Sequence, residues 1–146
     1  MPRPHFLGIH HLKFAVSDLD RSLSFYTRIL GASRLPKLDH VNAGGQLYAI
    51  IMEVPGLGTP LELRLNAEHA AKQKGFDPVT LNVEGRADLQ SWVQHLDAER
   101  VAHSPILTAL VGWLVAFEDP DGRRIRFYTK ERHGPEFTPS TDARWL

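Results

Sequence analysis

The chain has no cysteine. That excludes disulfides, thiolate metal sites and a cysteine nucleophile, and it fits a reducing compartment. Neither sign of charge is in excess, since Lys plus Arg and Asp plus Glu both number 17. With no basic run in the sequence either, nucleic acid and anionic membrane surfaces are not expected as partners. No apolar stretch is long enough to span a bilayer, and the opening Met1-Pro2-Arg3-Pro4-His5-Phe6 lacks the apolar segment of a secretory signal. A soluble, cytoplasmic protein is expected.

The 146 residues, 42% of them hydrophobic, are enough for one well-buried core or two small fused modules. From Gly8 to Ser17 the residues alternate, with Leu12, Phe14 and Val16 on one side and His11, Lys13 and Ala15 on the other, as in a strand buried on one face. Ser17-x-x-Asp20 reads as a capping box. Leu19, Leu23, Tyr26 and Leu30 then recur at helical spacing up to Gly31. Three strands are expected next, at residues 32–41, 46–54 and 60–65, separated by Asn42-Ala43-Gly44-Gly45 and Pro55-Gly56-Leu57-Gly58-Thr59. The first half therefore reads βαβββ.

The second half repeats that grammar after a short helical bridge at 67–74. Residues 78–83 alternate as a strand, and Leu89, Trp92, Val93 and Leu96 occupy i, i+3, i+4 and i+7 of a helix. Strands at 101–104, 111–117 and 124–129 complete a second βαβββ, with Asp119-Pro120-Asp121-Gly122 as the turn before the last. The expected organisation is an N-terminal extension (1–7), a first module (8–66), a bridge (67–75), a second module (76–130) and a surface tail (131–146). In that tail, Trp145 and Leu146 either pin the end or fray.

Three features, in this order on a doubled βαβββ pattern, resemble the vicinal oxygen chelate superfamily of glyoxalases, bleomycin and fosfomycin resistance proteins and extradiol dioxygenases. They are the segment HHLKFAVSDLDRSLSFYTRILG (His10–Gly31), Leu61-Glu62-Leu63, and the Asp119-Pro120-Asp121-Gly122 turn. The resemblance covers about residues 8 to 130. It implies an α+β fold in which two βαβββ modules form a curled mixed-sheet cup, usually in a homodimer. It also implies a divalent metal held by the first and last strands of each module. The matching positions are His11, Glu62, Pro78 and Arg126. Proline has no side-chain donor and a guanidinium has no free lone pair, so only His11 and Glu62 are able to ligate. The metal site reads as degenerate and no cofactor is expected. The alternative is an enzyme, a lyase, isomerase or dioxygenase, whose iron, zinc, nickel or manganese is held by His11, Glu62 and an unrecognised third residue.

Strand parity groups His11 with Lys13, Glu62 with Arg64, Pro78 with Thr80 and Asn82, and Arg126 with Arg124 and Tyr128. If the cup closes as the resemblance implies, these residues face its interior. Lys13, Tyr48, Arg64, Asn82, Trp113, Arg126 and Tyr128 are then the ligand-binding candidates, for an anionic or aromatic small molecule. Arg126 has two readings, an ion pair with Glu62 or a seat for a ligand's carboxylate, phosphate or phenolate. His11 and Glu62 likewise read either as a pair that satisfies itself or as a metal-free acid and base. Arg124 is expected in solvent at the mouth. His5, His40, His69, His95, His103 and His133 are the other histidines that could substitute, but they lie at no matching strand position, and His69 on the bridge and His95 on the second helix are read as solvated polar residues.

Overall fold

The alternation around Phe14 and the apolar run at Ala49–Met52 become strands of one sheet, because each places apolar side chains where α1 (Leu19–Leu30) covers them. The computed structural model describes residues 1–146, which divide into two compact units, Met1–Ala67 and Glu68–Leu146. In the first unit the strands are β1 (Leu12–Val16), β2 (Ser33–Arg34), β3 (His40–Val41), β4 (Leu47–Glu53) and β5 (Leu61–Leu65). The sheet runs β1-β5-β4-β2, with β3 also paired to β4. β1 and β5 are parallel, so that Lys13 lies beside Glu62 and Ala15 beside Arg64, while β4 and β5 are antiparallel.

Two local readings are corrected. The N-cap of α1 is Asp18 rather than Ser17, its carboxylate accepting from the Arg21 N–H at 2.8 Å. The buried stripe of α1 is Ser22, Phe25, Tyr26 and Ile29 instead of the leucine series, of which only Tyr26 belongs. Gly31 ends the helix at φ 70°, donating to Thr27 O. The single strand expected at 32–41 is broken by a 3₁₀ turn at Pro36–Leu38. Proline at its first position removes a ladder donor and fixes φ, and His40 starts a separate strand on the far side of the turn.

A six-residue helix, α2 (Ala67–Lys72), leads into the second unit, where β6 (Val79–Val83), α3 (Arg86–Ala98), β7 (Leu107–Thr108), β8 (Trp113–Glu118) and β9 (Arg124–Thr129) follow. The order is β6-β9-β8-β7, with β6 and β9 parallel. The strand expected at 101–104 is reduced to a single bridge, His103 to Phe117, and the edge strand is formed further on by β7. On the α3 side, Phe127 stacks between Trp92 (4.2 Å between centroids) and Phe117 (5.4 Å), above buried Leu89 and Leu96. The acidic turn holds more than turn chemistry. Asp119 Oδ1 accepts from the N–H groups of Asp121 and Arg123, and its Oδ2 pairs at 2.7 Å with Arg123, which is completely buried and also donates to Gln73.

Of the two readings of the tail's end, Trp145 takes the pinned one, and the correction here falls on Arg124. Trp145 is only 3% exposed, packed on Leu107, Ala109, Leu114, Ala116 and Tyr128 on the sheet face opposite α3. Arg124, expected in solvent, lies beneath it, with its guanidinium 4.8 Å from the indole centroid. The indole satisfies its apolar area on this face, and the arginine stem extends along it.

His133 anchors the start of the tail. Its Nε2 donates to Ala109 O at 2.7 Å and its Nδ1 to Gly134 O at 3.0 Å. A neutral imidazole donates from one nitrogen only, so the two carbonyls, Ala109 first and then Gly134, raise the His133 pKa, with Glu136 adding to the effect. The protonated form is the one favoured by folding. The stability it contributes is therefore complete below the ordinary value of about 6.5 and is lost as pH rises through the higher folded value. In His133→Phe this alkaline loss should vanish from urea-melt midpoints measured across neutral pH, and an unchanged pH dependence would refute the assignment.

Candidate functional site

The first unit gathers polar side chains around one buried carboxylate. Glu62, in the middle of β5, is 2% exposed. Its strand neighbours on the same face supply cations: Arg64 Nε donates to Oε2 at 2.8 Å, and Lys13 Nζ lies 3.9 Å from the same oxygen. The other oxygen, Oε1, faces two imidazoles, with His11 Nε2 at 3.6 Å and His40 Nε2 at 3.9 Å. Both are ion-pair distances, longer than a hydrogen bond. Tyr48 on β4 closes the side of the group, its ring edge-on to His40 at 5.7 Å and 5.4 Å from the Arg64 guanidinium. Five of the expected residues, His11, Lys13, Tyr48, Glu62 and Arg64, thus come together.

His40 was missed. Its signal in the sequence was faint: residues two apart share a strand face, but the parity starts afresh after Pro36, so a continuous count from Ala32 misplaces it. Its orientation is set by Nδ1, which donates to Leu38 O at 2.8 Å. That hydrogen bond leaves Nε2 as the acceptor nitrogen turned toward Glu62.

The second unit treats its expected residues differently. The carboxylate paired with Arg126 is Asp77, at 2.7 Å from Nε, and Arg126 Nη2 donates to the carbonyl of Trp145 at 3.1 Å. Tyr128 accepts from the Val111 N–H and packs under Trp145. Trp113 is buried among His133, Phe137 and the Arg86 guanidinium. Pro78 and Asn82 are exposed, Asn82 lying beside Tyr128 in the β6–β9 register. A cleft of about 370 Å³ near Gly31 and Pro60 also exists, walled by Ser33, Glu53, Pro55 and Thr59, and it holds no imidazole or cation.

A model of the Glyoxalase/Bleomycin resistance protein/Dioxygenase superfamily matches residues 8–127, and the chain belongs to that superfamily. Among curated proteins it is 27% identical over 122 residues to MhqA of Bacillus subtilis (strain 168), a protein assigned by inference as a ring-cleaving dioxygenase. The match covers 81% of this chain and 39% of MhqA, so the chain spans about two fifths of that relative's length. Three solved structures illustrate the shared fold. A glyoxylase/bleomycin resistance protein/dioxygenase domain from Frankia sp. EAN1pec is 23% identical, with a TM-score of 0.68 over 87% of this chain and 100% of that one. The fosfomycin resistance protein FosX of Listeria monocytogenes, crystallised as a glutamate-to-glutamine mutant with Mn(II) and a dihydroxypropylphosphonic acid, is 14% identical, with a TM-score of 0.69 over 87% and 95%. TnmS3, an antibiotic-binding protein of Streptomyces sp. CB03234, is 18% identical, with a TM-score of 0.67 over 88% and 100%. The fold class is that of the superfamily, α+β with two mixed sheets and their helices.

The donor set tests whether the metal implied by the superfamily fits. In the second unit Pro78 offers no donor atom and Arg126 is a cation already bound to Asp77. In the first unit Oε2 of Glu62 is taken by Arg64. As the side chains stand, no group of three His, Cys, Asp or Glu residues is arranged to hold an ion. The four-residue set of the superfamily does not fit this chain.

Proposed function

We propose that the chain binds a small anionic molecule, aromatic or carrying a carboxylate, phosphate or phenolate, at the Glu62 group of the first unit, without the superfamily's metal set. The observation that carries this is a charge imbalance. A single carboxylate faces both Lys13 and Arg64, beside two imidazoles, so the group holds more positive charge than Glu62 neutralises. An incoming anion supplies the missing partner. Tyr48 offers an aromatic wall, and Arg64 a planar donor fork suited to carboxylate or phosphate. The antibiotic-binding TnmS3 shows that a relative in fold serves as a binding protein.

Calorimetric titration with a panel of aromatic carboxylates, phenolates and phosphonates tests the reading. Arg64→Ala should weaken binding by about tenfold or more, the loss of one charge-assisted contact. Glu62→Gln, which removes only the neutralising charge, should leave binding intact or strengthen it. Anion affinity that is indifferent to Arg64, or abolished by Glu62→Gln, would overturn it. The reading also takes the working protein to be a homodimer, which light scattering checks.

A second reading rests on His40. Nε2 of His40 and Nε2 of His11 both face Oε1 of Glu62, and although the three are not arranged to hold an ion as they stand, closing them together would bring all three onto one cation. A tetrahedral ion with bonds near 2.1 Å separates its donors by about 3.4 Å, close to the 3.6 and 3.9 Å seen. In this case the chain is an enzyme of the superfamily, a lyase, isomerase or dioxygenase. Titration with zinc, nickel, manganese and ferrous iron separates the two readings. A stoichiometric ion lost in both His11→Ala and His40→Ala establishes the second reading, whereas no binding in wild type excludes it.

A further inference from the structure

The face of the second sheet opposite α3 is built like a ligand site and is filled by a segment of the chain itself. Its apolar floor is Leu107, Ala109, Leu114 and Ala116. Arg124 and Arg126 project from alternate positions of β9 onto the same face, in register with Glu118 and Ala116 of β8. On this floor lies the indole of Trp145, sandwiched by cations, with Arg124 4.8 Å and Arg144 4.9 Å from its centroid. The carbonyl of the same residue accepts from Arg126 Nη2. Residues 130–146 contribute no helix or strand. A local turn shapes the last residues, in which Asp142 Oδ1 accepts from the N–H groups of Arg144 and Trp145, and Ser140 N–H reaches Thr108 O at 2.8 Å. Leu146, one residue beyond the indole, is 47% exposed.

We propose that this face is a binding site for a planar aromatic carboxylate, with Trp145 as its intramolecular occupant, so that ligand and tail exclude one another. The indole and its carbonyl oxygen already present the two halves of such a ligand, a flat ring over Arg124 and an acceptor at Arg126. A free aromatic acid keeps the ring contact and exchanges a neutral amide oxygen for a carboxylate, which adds ion pairing to a hydrogen bond that so far has only the guanidinium charge behind it. One donor also remains unused beside the ring, because Arg124 Nε is buried with no hydrogen-bond partner, and a buried donor in that state is a place for an acceptor from outside. The tether holds the indole at an effective concentration in the millimolar range, so a competitor has to outbid that concentration in wild type. Because none of these residues belongs to the Glu62 group, this inference stands apart from the first.

Indole-3-acetate is the probe and its uncharged amide the control. In Trp145→Ala, with folding checked by circular dichroism, calorimetry should show indole-3-acetate bound about tenfold or more tighter than by wild type. It should also be preferred over indole-3-acetamide, and Trp145→Ala/Arg126→Gln should lose that preference. Equal affinity for acid and amide, or no binding by the folded variant, would overturn the proposal. If the variant does not fold, the wild-type chain decides. Millimolar indole-3-acetate should speed amide exchange at residues 140–146 and shift the Trp145 indole N–H resonance, and unchanged exchange and resonance would refute displacement.

Discussion

Asp119→Ala should lower the melting temperature by roughly 10–20 °C, the largest single loss expected in the second unit. Asp119 and Arg123 are both wholly buried at their charged ends, 2.7 Å apart. Removing the carboxylate leaves the guanidinium in low dielectric without the group that neutralises it, which costs about 3–5 kcal/mol. The same change strips the acceptor for the Asp121 and Arg123 N–H groups that shape the turn into β9. Asp119→Asn separates the two contributions, because an amide oxygen still accepts from the backbone but carries no charge. It should recover only the turn's share, about 1 kcal/mol. A thermal melt of Asp119→Ala within about 3 °C of wild type, roughly the effect of a single kcal/mol, would show that Arg123 does not depend on this pair.

Tyr26→Ala should be the most damaging change in the first unit, at about 3–5 kcal/mol. The ring has no solvent exposure and packs edge-on to Phe25 at 5.2 Å and tilted against Phe14 of β1 at 5.9 Å. It joins α1 to the sheet that carries Glu62 on its other side. Deleting it leaves a cavity at that junction, and the neighbours are themselves buried rings with little freedom to collapse inward. Hydrogen exchange should report the loss of protection first in Leu12–Val16 and Leu61–Leu65. The anion binding proposed for the Glu62 group should weaken in proportion to that local opening, since Lys13, Glu62 and Arg64 sit on those two strands. Retained protection in both strands would mean that α1 is held by other contacts.

The doubled βαβββ pattern was legible because strand alternation and helical spacing are local signals, and β9 in particular follows the sequence reading residue for residue. His11 could be grouped with Lys13, and Glu62 with Arg64, because parity on a strand is independent of what the strand pairs with; that the two pairs share a face came from the family resemblance, and the β1–β5 register bears it out. His40 could not be grouped this way. Its place depends on how far the turn at Pro36 rotates the chain, and on the pairing of Ala49 with His40 across the sheet. The stripe of α1 was misread for a related reason. Three leucines at helical spacing look like a core, yet Leu23 and Leu30 flank the buried line through Ser22, Phe25, Tyr26 and Ile29. Ser22 is fully buried although its side chain is polar, which hydrophobicity does not encode. Arg124 was misplaced and Trp145 left open for one reason: far apart in sequence, they meet only because the tail turns back, and no local pattern in a polar, proline-bearing segment specifies where it turns.

β1 pairs with β5 and β6 with β9, the first strand of each βαβββ set against its last. On the ribosome this means that Leu12–Val16 emerges long before its only neighbour in the sheet. It must wait, apolar side chains in water, until Leu61–Leu65 has cleared the exit tunnel, and β6 waits likewise for Arg124–Thr129. Such non-local closure slows folding relative to a hairpin of equal area. The nascent chain should therefore acquire its structure in two late steps instead of growing gradually, with a window before each in which a chaperone has an unpaired strand to hold.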